Sequence, residues 1–91
     1  MIDPVELAKK PIEKLKKENM RVVYVGSVLN LLPSGKYYTP WACSNVTEEE
    51  TKADEEWWKA FETELEKHDA WIETGEGDPL DVFVVREDAD N

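Results

Sequence analysis

The stretch Thr47-Glu48-Glu49-Glu50 constrains the fold of this chain more than any other feature. A threonine followed three residues later by a glutamate forms a reciprocal helix cap. The hydroxyl accepts from the amide of the third helical residue, and the carboxylate reaches back to the threonine amide. Glu48 and Glu49 add negative charge at the positive end of the helix dipole. Ala53, Trp57, Ala60, Phe61 and Leu65 then recur at helical spacing, and Trp58 widens their stripe. The spacing predicts a helix over 48–68 with one apolar face, which the rest of the chain has to cover.

A second helix is signalled at the start. Asp3-Pro4 pairs an acidic cap with proline at the first helical position, and Val5, Ala8, Ile12 and Leu15 follow at helical spacing. Pro11 donates no hydrogen bond and its ring crowds the carbonyl four residues back, so a break or kink near Lys10 is expected, with a firmer helix from Pro11 to Glu18. The β-branched run 21–32 reads as a strand in which Gly26 marks a bulge or a close approach by another backbone, Pro33-Ser34-Gly35 as a turn, and 36–42 as a returning strand that lies at a sheet edge or ends at Pro40. Segments 70–74 and 80–86 form a further hairpin around Gly75-Glu76-Gly77-Asp78-Pro79.

The expected fold is therefore α+β in the order αββαββ: one four-stranded, mainly antiparallel sheet with two helices packed on one face. Residues 1–86 form the single domain and 87–91 a flexible acidic tail. The expected core contains Val23, Val25, Tyr37 or Tyr38, Trp57, Phe61, Leu65, Trp71, Val82 and Val84. A chain of 91 residues buries only about 60–65% of the surface its unfolded form exposes. A deep enclosed active site would use core volume that such a chain scarcely has.

Charge divides the sequence in two. Residues 1–43 carry seven basic and four acidic side chains, a net +3, whereas residues 44–91 carry four and seventeen, a net −13. A polarity of this size bears on the choice of partner and on orientation rather than on fold. No apolar run approaches the roughly 18 residues of a membrane span, no apolar leader core opens the chain, and the lone Cys43 has no internal disulfide partner. These features predict a cytoplasmic protein, in which the sequon-like Asn45-Val46-Thr47 carries no glycan.

The chemistry-bearing residues do not assemble into a catalytic pattern. Cys43 precedes a helix N-terminus and His68 lies near a helix C-terminus, but the acids after Cys43 disfavour a thiolate. One cysteine and one histidine also fall short of a structural zinc site. Glu76, Asp78 and Asp81 surround a glycine-rich turn without the ligand spacing of a calcium loop. Ser34-Gly35-Lys36 lacks the glycines of a phosphate loop. No enzyme activity, cofactor or metal is expected.

Two binding surfaces remain. The acidic side of the 48–68 helix together with the following turn, Glu55, Trp58, Glu62, Glu66, Glu76 and Asp78, suits a basic protein partner, with Trp58 as its apolar anchor. Alternatively Lys9, Lys10, Lys14, Lys16, Lys17 and Arg21, with Lys36 and Tyr38 nearby, offer a basic stripe and a stacking ring for nucleic acid. The large negative net charge opposes a polyanion, which favours the first surface.

Leu32-Pro33-Ser34-Gly35-Lys36-Tyr37-Tyr38-Thr39-Pro40-Trp41-Ala42-Cys43-Ser44-Asn45-Val46, together with Gly75-Glu76-Gly77-Asp78-Pro79-Leu80-Asp81-Val82-Phe83, resembles a family of small uncharacterised proteins encoded by bacteriophages and prophages. Some of these carry a cysteine-rich, zinc-knuckle-like insertion after the position of Val46. This chain passes directly to Thr47, so no zinc role is carried over. The resemblance implies a viral accessory protein acting inside a bacterium, and it assigns no catalytic residue.

Overall fold

The computed structural model describes residues 2–35, 47–75, 77 and 80–87. Its elements are α1 (Pro4–Lys17), β1 (Val22–Ser27), α2 (Val28–Leu31), α3 (Glu48–Glu66), β2 (Ala70–Thr74) and β3 (Asp81–Arg86). The fold is α+β, but among the described residues the sheet has three antiparallel strands in the order β1-β3-β2 rather than four. The expected strand 36–42, with Tyr37 and Tyr38, lies outside the described residues, as does most of the expected tail.

Local chemistry sets the helix boundaries. Asp3 Oδ1 accepts from the Val5 amide at 2.9 Å, and Pro4 sits where a missing N–H is harmless. Contrary to the expected break, α1 runs unbroken through Pro11. The proline ring is buried together with Ala8, Ile12 and Leu15, and this burial offsets the lost helical hydrogen bond. At the other end Asn19 takes a left-handed φ of 52°, and the Met20 amide returns to the Leu15 carbonyl at 2.9 Å. That is a Schellman stop with asparagine in place of glycine.

β1 follows, with a register shift between Tyr24 and Gly26 that confirms the expected bulge; Gly26 has φ +148°. The strand then ends at Ser27, five residues before the expected end. Ser27 Oγ accepts from the Leu29 amide at 3.2 Å and caps α2. Val28 and Leu31, three residues apart, are both buried, and this one-turn burial overrides the β preference of the run.

α3 begins at the expected capping box. Glu50 N–H donates to Thr47 Oγ1 at 3.1 Å and Thr47 N–H donates to Glu50 Oε1 at 3.0 Å. Trp57, Phe61 and Leu65 are buried, and Trp57 stacks on Phe61 with ring centroids 5.2 Å apart. The indole N–H of Trp57 donates to the Ile2 carbonyl at 2.7 Å, which fastens the start of the chain to the middle of α3.

Both long helices cover one sheet face, α1 over β1 and β3, α3 over β2, and they pack against each other. Val82 and Val84 of the central strand, with Ala70, complete the core, and Val23, Val25 and Ile72 lie against it. Trp71 does not join them. Residues 70 and 72 of β2 point inward, so the two-residue period of a strand turns Trp71 to the opposite face, where it is 40% exposed.

Arg86 ties the sheet to α1. Its Nη2 donates to the Leu15 carbonyl at 3.0 Å and its Nε to the Met20 carbonyl at 3.1 Å, placing a cation at the negative end of the helix. We expect Arg86→Met to lower unfolding free energy by about 1–3 kcal/mol. Urea denaturation checks this; a loss below about 0.5 kcal/mol, the usual range for a surface change, would count against the anchoring role.

Candidate interaction surface

The flank of α3, beside the core-facing stripe, carries residues singled out in the sequence. Leu32, Asp54, Glu55, Trp58, Lys59 and Glu62 line an open groove of about 410 Å³ whose wall is mostly apolar. Glu55, Trp58 and Glu62 fall at i, i+3 and i+7, which places them on one helix face. Trp58 is half-buried rather than fully exposed. Its ring lies 6.2 Å from Trp57 and 6.3 Å from Phe61, so one side rests on core aromatics while the other lines the groove. An aromatic held in this way presents apolar area with little conformational freedom left to lose on binding. Glu66 is exposed one turn beyond Glu62.

The other wall depends on a residue that sequence reading missed. Asp54 Oδ1 accepts from the Ser34 amide at 3.0 Å and Oδ2 accepts from the Ser34 hydroxyl at 2.7 Å. Both carboxylate oxygens thus hold the Leu32–Gly35 turn, in which the Gly35 amide donates to the Leu32 carbonyl at 3.1 Å and Gly35 has φ +69°. This clamp brings Leu32 opposite Trp58. It also occupies Asp54, leaving Glu55 and Glu62 as the acidic rim. Nothing local in the sequence distinguishes Asp54 from its acidic neighbours, because its partner lies twenty positions away.

Charge on α3 is heavily one-sided, with nine carboxylates and two lysines over nineteen residues. Among the described residues no polar or charged side chain is buried and no three metal-ligating side chains cluster. No described helix is long and apolar enough to cross a membrane. Glu76 and Asp78 lie outside the described residues, as do Cys43, Lys36 and Tyr38.

The lysines of α1 are all exposed, yet they do not form a uniform basic stripe. Lys9 Nζ lies 2.9 Å from Glu6 Oε2; that hydrogen bond, and then the carboxylate's charge, raise the lysine pKa above its ordinary value. Lys16 Nζ donates to His68 Nδ1 at 3.0 Å, joining the C-terminal ends of α1 and α3. The other ring nitrogen, Nε2, lies 3.8 Å from Glu64 Oε2. Lys10, Lys14 and Lys17 make no ion pair among the described residues and share a helix surface with Glu13 and Glu18. Arg21 is exposed just before β1. Of the six expected cations two are engaged, which leaves three lysines on one helix face with acids between them, and Arg21 beyond the end of that helix.

No family model, no curated protein and no solved structure matches this chain. The functional reading therefore rests on the molecule's own geometry.

The Ser34–Asp54 clamp yields a direct check. Asp54→Ala removes two charge-assisted hydrogen bonds and is expected to cost about 2 kcal/mol, whereas Glu55→Ala, one position away, should change stability by less than about 0.5 kcal/mol. Equal effects in thermal or urea unfolding would contradict the assigned roles.

Proposed function

We propose that this chain is a non-enzymatic, acidic protein-interaction module that receives a basic, nucleic-acid-binding protein in the α3 groove. The observation that carries the reading is the convergence of Trp58, Leu32, Glu55 and Glu62 on one open groove. An apolar floor supplies binding energy, and a carboxylate rim supplies orientation and encounter rate. The net charge of −10 extends that attraction beyond the groove and repels acidic competitors. The resemblance to phage-encoded proteins would place the partner in an infected bacterium. Direct binding of nucleic acid is the weaker alternative: three lysines interleaved with glutamates neutralise few phosphates against so negative a field.

The test is retention of proteins from a bacterial lysate on the immobilised chain at low and high salt. Basic nucleic-acid-binding proteins should be retained at low salt, released at high salt, and lost with the triple variant Glu55→Lys, Glu62→Lys, Glu66→Lys. Trp58→Ala should weaken retention several-fold while circular dichroism stays native. If the charge-reversed variant retains the same set, the groove is not the recognition surface. If DNA or RNA is retained instead, the α1 lysines are.

A further inference from the structure

The sheet face that the helices leave uncovered is more apolar than a strand face in contact with water needs to be. The register places Val22, Val85 and Trp71 in one cross-strand row and Tyr24, Phe83 and Glu73 in the next, with Asp81 beyond Phe83 on the central strand. Val22 is 46% exposed, Tyr24 56% and Trp71 40%, while Phe83 and Val85 are half-buried between them. The Tyr24 and Phe83 rings lie 5.3 Å apart, tilted by 58°.

The acids on this face are bound to the aromatics. Trp71 Nε1 donates to Glu73 Oε2 at 3.0 Å, and the Tyr24 hydroxyl donates to Asp81 Oδ1 at 3.1 Å. Each hydrogen bond fixes an aromatic edge and sets a carboxylate beside an exposed ring. Phe83 lies between Tyr24 and Glu73, with Asp81 two residues before it on the same face. Ring faces attract cations through their quadrupole, and the adjacent carboxylates add direct charge.

These features discriminate between occupants. A second copy fits poorly. Two such faces would set the carboxylates of Glu73 and Asp81 of one copy against the same carboxylates of the other, with no cation among the described residues of the face to pair them. Both copies would also carry a charge of −10. Stacked nucleic-acid bases would bring phosphates toward Glu73 and Asp81. A guanidinium fits both features best, since its planar fork pairs bidentately with carboxylates while its face stacks on an aromatic ring; an ammonium is drawn to the same rings and carboxylates only as a strongly hydrated point charge, with neither the fork nor the flat face.

We propose that this sheet face is an arginine-reading site: arginine side chains of a partner protein stack on the Trp71 and Tyr24–Phe83 rings and pair with Glu73 and Asp81. The site is separate from the α3 groove and does not depend on the role proposed for it.

The probes are two short capped peptides of equal charge, Arg-Gly-Arg and Lys-Gly-Lys, titrated to millimolar concentration into the ¹⁵N-labelled full chain. The arginine peptide should perturb amides of 71–73 and 81–85 and bind at least threefold more tightly than the lysine peptide. Trp71→Ala and, as a variant that preserves shape, Glu73→Gln should each weaken the arginine peptide at least threefold. Trp58→Ala should leave its affinity unchanged. Three results would overturn the site: no perturbation of 71–73 and 81–85, equal affinity for the two peptides, or the same affinity in both sheet variants as in the parent chain. Perturbations confined to 54–62 would do so too, and would point to the α3 groove instead.

Discussion

The contact between α1 and α3 is the constraint on which the rest of the molecule depends. Ala8, Ile12 and Leu15 from one helix meet Trp57, Phe61 and Leu65 from the other in a single core over the inward face of the sheet. These six are among eleven buried hydrophobic residues of the described core, and they include its largest side chains, Trp57 and Phe61, so in so small a domain they supply a large share of the apolar burial that opposes chain entropy. The fastenings around it serve the same contact. Trp57 holds the backbone at Ile2, Arg86 holds the Leu15 carbonyl in the last turn of α1 and the Met20 carbonyl just past it, and Lys16 bridges to His68 beyond the end of α3. Together they fix how far each helix can slide over the strands.

Fixing the inward faces also determines what faces outward. Once Trp57 and Phe61 are buried, helical geometry puts Glu55, Trp58 and Glu62 on the flank of α3, where the Asp54-held turn supplies Leu32 as the opposite wall. Once Ala70, Ile72, Val82 and Val84 turn toward the helices, Trp71, Phe83 and Val85 must turn away. Both surfaces carry acids next to aromatics, in keeping with a chain whose second half holds seventeen of its twenty-one carboxylates. The first half places five of its six lysines on α1, where Glu6 and His68 engage two of them.

Local signals in the sequence were legible where the physics is local. The Thr47/Glu50 box, the Asp3-Pro4 start and the stop at Glu18-Asn19 each depend on residues within five positions of one another, and each is present; the Gly26 bulge was signalled by the glycine itself, although its register shift is made against β3. Long-range arrangements were harder to read. The run through Val28 looked extended because β-branched propensity outweighed a helical spacing only one turn long. Trp71 looked like core because its size suggested burial, whereas its direction is set by pairing with Val85. Pro11 looked like a break because the burial that offsets its cost comes from elsewhere in the fold. Of the candidate site, Glu55, Trp58 and Glu62 were readable from spacing; the clamp through Asp54 and the outward sheet face were not, because each requires knowing which distant segment lies alongside.

Native-state amide hydrogen exchange tests the dependence on the α1–α3 contact most directly. If one core carries the fold, amides at Ile12, Leu15, Phe61, Leu65, Val82 and Val84 open together. Their exchange free energies should agree within about 1 kcal/mol of one another and of the global value from denaturant unfolding. If the α1 amides instead exchange several kcal/mol more easily than those of α3 and β3, then α1 is an accessory to a core formed without it, and the central claim fails.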